Sequence, residues 1–205
     1  MTLLVVRHGR TAANASGVLL GRLDPSLDDV GRGQANAAAG FIEATCKGAL
    51  VVSSPLRRTR ETAEVIAATV GSTVDVDERW IELDYGELDG IPLADVPPDL
   101  WRGWRADPTF APPGGESLAA LGERVRAACG ELAPIARDRD VVVVTHVSPV
   151  KAAVVWALGV DDSVSWRTYV EPGSITRIDC RPTGPVLLSF NVTPNVAPPA
   201  GTMTG

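Results

Sequence analysis

The most informative part of this 205-residue chain is the segment Val5-Val6-Arg7-His8-Gly9-Arg10-Thr11. The apolar run Leu3-Leu4-Val5-Val6, which leads into it, is typical of a buried strand near the centre of a sheet. Arg7 and His8 follow where that strand should end. Ligands of open α/β sheets bind at the carboxyl ends of the strands. A cation and an imidazole at this point therefore predict an anion site that contains a nucleophile.

The second of the chain's two histidines stands in a similar setting. Val141-Val142-Val143-Val144-Thr145 is another buried-strand pattern, and it ends on His146. Two apolar strands that each end in one of only two histidines are hard to explain by packing alone. We expect both imidazoles to lie in one pocket above the carboxyl edge of the sheet.

Strand and helix patterns alternate along the chain, which favours a three-layer α/β/α sandwich with a mostly parallel central sheet. Strands are predicted over 3–7, 49–53, 74–76, 140–145, 174–180 and 186–192, and helices over 27–45, 54–70, 115–136 and 149–158. Ser54 is the expected N-cap of the second helix, with Pro55 as its first residue. The stretch 80–115, rich in Trp and Pro, is expected to form an irregular lobe inserted over the active site.

Composition limits the function classes. One domain is expected over 1–192, followed by a disordered tail over 193–205 that is rich in Pro, Gly, Ala and Thr. The net charge of −6 argues against nucleic-acid binding, and no stretch approaches the ~20 apolar residues of a membrane helix. Three scattered cysteines and a strand pattern that begins next to Met1 predict reduced thiols, no signal peptide and a cytoplasmic location.

Four ordered sequence blocks resemble the histidine phosphatase superfamily, which includes phosphoglycerate mutases, acid phosphatases and α-ribazole phosphatases. The blocks are Arg7-His8-Gly9 with Thr11 and Asn14, then 53–63, 82–90, and Thr145-His146. The resemblance is greatest to the acid phosphatase and α-ribazole phosphatase-like branch. It implies hydrolysis of a small phosphorylated metabolite through a phosphohistidine intermediate, with no cofactor and no metal site; a homodimer is left open.

The resemblance also implies a role for individual residues. His8 is the implied nucleophile. Arg7 and Arg57, the arginine after Ser-Pro-Leu, are the implied phosphate clamps, since a guanidinium matches two phosphate oxygens with parallel hydrogen bonds. Glu82 is the implied general acid and base. His146 is expected to stabilise the phosphoryl oxygens.

Further substrate contacts are expected from Asn14, Gly21 and Val147, in addition to Arg7, Arg57 and His146. Val147 stands where the family commonly has Gly. Two other arginines of the second block, Arg58 and Arg60, are expected on a solvated helix face or paired with Glu61 and Glu64. Asp84 and Glu87 are the alternatives to Glu82.

Two other functions stay open: a cofactor-dependent phosphoglycerate mutase and a non-catalytic phosphate-binding protein on the same scaffold. Mutases follow the acid with Arg, whereas Leu83 follows Glu82 here and 83–100 contains no Lys or Arg. This favours hydrolysis, because a mutase must hold two charged groups. The substrate's alcohol is expected to be apolar or aromatic from residues of the lobe, although Arg102 and Arg105 could meet an acidic tail. These lobe residues are Leu83, Ile91, Leu93, Trp101 and Trp104.

Overall fold

The computed structural model describes residues 1–46 and 48–195. Its strands are β1 (Leu3–Arg7), β2 (Leu50–Ser53), β3 (Val74–Val76), β4 (Val141–Thr145), β5 (Ile175–Arg181) and β6 (Gly184–Val192). They form one sheet in the order β3-β2-β4-β1-β5-β6. The first four strands of that order are parallel, and β5 is antiparallel to both β1 and β6. The predicted mostly parallel sheet is confirmed.

Helices cover both faces of the sheet. They are α1 (Ala12–Ala15), α2 (Asp29–Thr45), α3 (Arg57–Val70), α4 (Pro98–Ala106), α5 (Leu118–Asp138) and α6 (Val147–Leu158), and short 3-10 turns occupy 78–80, 86–88, 93–95 and 162–167. Side chains alternate across β1, as the period of a strand requires. Leu3 and Val5 pack in one core with α5 and α6, while Leu4 and Val6 pack in another with α2 and α3. The three-layer architecture is thus as predicted.

The register of the two central strands brings the histidines together. β1 and β4 are adjacent and parallel, and Arg7 lies opposite Thr145. The next residue of each strand is a histidine, and the His8 N–H donates to the Thr145 carbonyl at 2.9 Å. Both imidazoles therefore leave the sheet side by side at its carboxyl edge.

Two of the helix starts that differ from the sequence prediction lie next to the histidines. Helix α3 begins at Arg57, so Leu56 takes the N-cap position without a side-chain cap bond, and Ser54 is not the cap. Helix α6 begins at Val147, two residues earlier than predicted, with His146 at its N-cap. In both places a side chain near the helix start takes part in the site described below, so local capping preference is not what sets the boundary.

The segment 80–115 contains one helix that its composition did not predict. Helix α4 starts with Pro98 at its first turn, where proline is tolerated because no intrahelical N–H bond is lost. Residues 193–195 lie outside helices and strands, and residues 196–205, most of the predicted tail, lie outside the described residues. None of the helices in the described part of the chain combines the length and apolar character needed to cross a membrane.

Candidate active site

The two imidazoles form the centre of the site. Their ring centroids are 5.2 Å apart, in an edge-to-face arrangement at 64°, and both rings are buried. Nδ1 of His8 lies 2.7 Å from the carbonyl oxygen of Gly9. A carbonyl only accepts, so Nδ1 carries the proton and Nε2 keeps its lone pair.

The His8–Gly9 turn depends on a close approach between two backbone segments. A Cβ at Gly9 would lie 2.2 Å from the carbonyl oxygen of Gly31, at the start of α2. Only glycine fits this contact, since real Cβ atoms do not come closer than about 3 Å to another heavy atom. The turn that presents the Gly9 carbonyl to the His8 ring is therefore fixed by sequence.

A single arginine, Arg58, joins the two imidazoles. Its Nε lies 3.3 Å from Nε2 of His8 and 3.2 Å from Nδ1 of His146. Its terminal nitrogens donate to the carbonyls of Leu23 at 2.6 Å and Gly21 at 2.8 Å, and the side chain is fully buried. The guanidinium is thus held between the polypeptide backbone and the histidine pair.

The loop that receives Arg58 is itself fixed by one carboxylate. Asp89 accepts the backbone N–H groups of Gly21, Arg22 and Leu23 at 2.7–2.8 Å. The carbonyls of the first and third of these residues accept from Arg58. Asp89 therefore positions Arg58 indirectly, by orienting the loop that binds it.

The prediction that Arg57 lies beside the histidines is wrong. Its side chain is 64% exposed and pairs with Glu61 at 2.7 Å, one turn along the surface of α3. Buried positions of this helix recur with a helical period, and Arg58 is in phase with Thr62 and Ile66. Arg58, which the sequence analysis placed on a solvated face, is the arginine that enters the site.

Ser54 also contacts the site, which explains why it does not cap α3. Its Oγ lies 2.7 Å from Nε2 of His146. A hydroxyl can donate or accept, so this bond is compatible with either tautomer of the imidazole. The hydroxyl that sequence pattern assigned to a helix cap instead orients the second histidine.

Arg7 enters the same space from the end of β1. It is buried, and one terminal nitrogen donates to the Val170 carbonyl at 2.6 Å. Its Nε is buried and has no hydrogen-bond partner among the described residues. A buried donor of this kind gains free energy when a ligand supplies an acceptor oxygen.

Glu82 reaches the site from the lobe and is held at the start of α6. One carboxylate oxygen accepts the backbone N–H of Leu83 at 2.7 Å, and the other accepts that of Val147 at 3.1 Å. The N–H of Ser148 is 3.2 Å from the first oxygen. The two alternative acids lie elsewhere: Asp84 accepts from Gly86, and Glu87 is exposed.

Burial and neighbouring cations determine the charge of the centre. Burial, together with Arg58 and Arg7, lowers the pKa of His8 well below 6.5. Burial and Arg58 likewise lower the pKa of His146. Burial lowers the pKa of Arg58 to about 10, which leaves it charged at neutral pH. Two neutral imidazoles beside two guanidinium groups make a centre that attracts anions.

The three remaining predicted contacts differ in their placement. Asn14 lines the cavity, and its Oδ1 accepts from Thr11 in a capping box at the start of α1. Gly21 is buried, with its N–H bonded to Asp89 and its carbonyl to Arg58, so it contacts the clamp and does not line the cavity. Val147 lines the cavity, but its N–H is bonded to Glu82.

The centre opens into a cavity of about 350 Å³. Arg7, His8 and Glu82 are the lining residues that belong to the catalytic centre. The rest of the lining is largely apolar and aromatic, from Leu19, Leu93, Trp101, Trp104, Val147, Trp166 and Tyr169. Trp101 and Trp104 therefore line the cavity, as the lobe composition suggested. Of the two lobe arginines, Arg102 pairs with exposed Asp99, and Arg105 lies over the rings of Trp101 and Trp166.

Sequence pattern did not predict Arg58, Ser54, Trp166 or Lys151 as site residues. The helical phase of α3 could have identified Arg58, because Glu61 and Glu64 mark the opposite face. Lys151 and Trp166 belong to α6 and the following turn, and only tertiary packing brings them to the lobe. No cluster of three or more His, Cys, Asp or Glu that could hold a metal ion occurs within the described residues.

Comparison with known proteins gives a family for this geometry. The model of the histidine phosphatase superfamily (branch 1) matches residues 3–193. The chain belongs to this superfamily. Both imidazoles, Arg58 and Glu82 lie within the matched span.

Three relatives illustrate the range of the match. Bifunctional protein Rv2228c of Mycobacterium tuberculosis is 35% identical over 177 residues, 85% of this chain but 49% of that protein, so the chain spans about half the length of this relative. Phosphoserine phosphatase 1 of Hydrogenobacter thermophilus is 33% identical over 93% of the chain and 92% of its own length. The structure of a mycobacterial glucosyl-3-phosphoglycerate phosphatase with VO3 superimposes with a TM-score of 0.78 and 32% identity, covering 86% of this chain and 92% of that one.

Proposed function

We propose that this protein is a phosphatase that hydrolyses a small phosphomonoester through a phosphohistidine at His8, without a metal ion or organic cofactor. The observation that carries the proposal is the hydrogen bond from Nδ1 of His8 to the Gly9 carbonyl, because it leaves Nε2 as a neutral nucleophile next to Arg58. The depressed pKa of His8 keeps that nitrogen unprotonated at neutral pH. A nucleophile beside two guanidinium groups is suited to attack on a phosphate ester.

In the first step, Nε2 of His8 attacks phosphorus and the bond from phosphorus to the ester oxygen breaks. Arg7 and Arg58 bind the equatorial phosphoryl oxygens. His146 lies beside them, with Nδ1 accepting from Nε of Arg58 and Nε2 hydrogen-bonded to Ser54. Glu82, protonated for this step, gives its proton to the departing alkoxide, which leaves poorly without one. The products of this step are the alcohol and phosphohistidine.

In the second step, water attacks the phosphohistidine. The Glu82 carboxylate takes one proton from the water, the P–N bond breaks, and the electron pair returns to Nε2 of His8. Release of inorganic phosphate restores the starting state with Glu82 protonated. The N–H donors of Leu83, Val147 and Ser148 keep the carboxylate in place during both transfers.

A phosphatase is favoured over a mutase by the cation content of the cavity. Apart from Arg7, the only cationic side chain among its described lining residues is Lys151. A mutase must also retain a bisphosphate, and the lobe segment 83–100 offers no Lys or Arg for it. Two relatives named as phosphatases, of phosphoserine and of glucosyl-3-phosphoglycerate, support the same choice.

Two further expectations belong to this proposal. Residues 1–192 would act as one histidine phosphatase domain whose lobe over 80–115 forms the substrate side of the cavity. The three cysteines are buried and free, which fits a reducing compartment, so we propose a cytoplasmic location.

The experiment that tests the proposal is a phosphate-release assay with nitrophenyl phosphate. Activity should persist in excess chelator, because the phosphoryl clamp is made of side-chain cations. Vanadate should inhibit competitively, since it can take up the five-coordinate geometry of the transition state at His8. Loss of activity on chelation that zinc or magnesium restores would refute a metal-independent mechanism.

A further inference from the structure

One cationic side chain in the cavity is not used by the proposed chemistry. Lys151 lies on α6, is partly buried, and lines the same cavity as His8 and Glu82. Its Nζ donates to the Ser165 carbonyl at 2.8 Å, which orders the side chain and occupies one of three N–H donors. The other two donors remain for a ligand.

No protein carboxylate neutralises this ammonium by direct contact. Within the described residues none of the ion pairs includes Lys151. Glu82 is the acid whose charge favours the ammonium, and burial lowers the pKa of Lys151. A partly desolvated ammonium without an ion-pair partner gains from an anion brought by a ligand.

The position of Lys151 relative to Glu82 limits where that anion can be. The Glu82 carboxylate is bound to the first turn of α6, at Val147 and Ser148, and Lys151 lies one turn further along the same face. Both side chains line the same cavity, so an anionic group on the alcohol can contact Lys151 while the ester oxygen contacts Glu82.

The remaining donors and charges favour a single negative charge over a second phosphate. Two guanidinium groups, from Arg7 and Arg58, bind the phosphoryl group. Lys151 is the cation that remains for the alcohol portion of the substrate. One ammonium matches the single charge of a carboxylate better than the two charges of a second phosphate.

Resting on the proposed function, we infer that Lys151 is a specificity-determining residue that binds a carboxylate on the alcohol portion of the substrate, so that the preferred substrates are phosphorylated hydroxy acids. The carboxylate is held by the ammonium in the same cavity in which Glu82 protonates the leaving oxygen. The apolar lining of the cavity accommodates the rest of the alcohol.

The test compares two esters that differ at one group: 3-phosphoglycerate and glycerol 3-phosphate, in which a hydroxymethyl group replaces the carboxylate. We expect kcat/KM to favour 3-phosphoglycerate by about 10–100-fold, the usual worth of a hydrogen bond to a charged group. Lys151→Met should bring the ratio close to one, and Lys151→Arg should keep most of it. Arg102→Met, which removes one exposed charge of the lobe, is the matched control and should keep the wild-type ratio.

Binding of the same two esters to His8→Ala, measured by calorimetry, separates this inference from the proposed function. If His8→Ala binds 3-phosphoglycerate more tightly than glycerol 3-phosphate and Lys151→Met abolishes this difference, the carboxylate site is supported. If the enzyme with His8 intact also turns over neither ester, the proposed phosphatase activity is refuted. Turnover of both esters with no preference in either measurement would overturn the inference alone. An equal loss for both esters in Lys151→Met would also overturn it, because Lys151 would then act on the phosphoryl end.

Discussion

The two ends of the cavity are built differently. The catalytic floor, made of Arg7, His8, Arg58 and His146, is buried and cross-linked by hydrogen bonds to backbone carbonyls and between its own side chains. The pocket wall, made of Leu93, Trp101, Trp104, Trp166 and Lys151, is mostly apolar and gathers from three separate parts of the chain. A floor of this kind binds what all phosphomonoesters share, whereas a wall of this kind distinguishes their alcohols.

The rigidity of the floor follows from where its residues come from. His8 and His146 extend adjacent parallel strands, and Arg58 is held by a loop that Asp89 fixes. Side chains on such elements lose little further freedom when a ligand binds. Substitutions in the floor should therefore affect every ester alike, and substitutions in the wall should change which ester is preferred.

The largest effect is expected for His8→Ala. No neighbouring side chain can replace the attacking nitrogen, so turnover should fall by about 10⁴-fold or more with alkyl and aryl esters alike. Steady-state assays on both ester types measure this. Substantial activity toward one ester type would break the division between floor and wall, because a floor residue would then be selective.

A smaller but still large effect should separate two adjacent arginines. Arg58→Ala removes a charged donor from the phosphoryl site and should reduce kcat/KM by about 10²–10³-fold. Arg57→Ala removes only an exposed pair with Glu61 and should change it by about threefold or less. Arg58→Lys should not restore activity, since an ammonium cannot span the same acceptors. A larger loss in Arg57→Ala than in Arg58→Ala would contradict the structure of the floor.

In the wall, Trp101→Ala should change selectivity. Loss of a partly buried ring should raise KM for naphthyl phosphate by about tenfold, consistent with the free energy of burying an aromatic side chain. The inhibition constant of vanadate, which contacts only the floor, should stay the same. If the vanadate constant rises in parallel with KM, Trp101 supports the floor and the two regions are not independent.

The smallest effect concerns stability and pH. His8 and His146 have folded-state pKa values below the 6.5 of an unfolded chain, so the unfolded state binds more protons as pH falls below 6.5. The stabilisation is therefore present above pH 6.5 and lost as pH falls. The free energy of unfolding should be lower at pH 5.5 than at pH 7.5 by about 1.4 kcal/mol for each ring. Urea unfolding at pH 7.5 and 5.5 measures the loss. His146→Gln should roughly halve the difference between the two pH values, and an unchanged difference would mean that His146 is charged when folded.

The same contrast explains how much the sequence could predict. His8 and His146 follow apolar runs, so strand pattern alone places both at the edge of the sheet. Arg58 was missed because the family resemblance pointed to the arginine directly after Ser-Pro-Leu, whereas the phase of α3 places the next arginine on the buried face. Ser54 was predicted as a cap because local pattern cannot reveal that His146, far along the chain, competes for its hydroxyl.

Prediction of the wall was weaker for a different reason. Trp101 and Trp104 were suggested from composition, and their presence in the lining agrees with it. Lys151 and Trp166 come from a strongly apolar helix and the turn after it, and nothing in their local sequence points to a lobe some 60 residues earlier. Contacts between loops distant in sequence carry no periodic signal, so the composition of a pocket wall is the last property to be predicted.

The central claim, that His8 carries the phosphoryl group while Glu82 transfers protons, is tested most directly by rapid-quench analysis of Glu82→Gln. With alkyl esters the variant should lose about 10²–10⁴-fold in rate, whereas nitrophenyl phosphate, whose leaving group needs no proton, should react far faster and give a burst. Because water activation is also impaired, phosphoenzyme should accumulate and map to His8. Equal losses for both esters with no trapped phosphoenzyme, or a phosphoryl group on another residue, would contradict the mechanism.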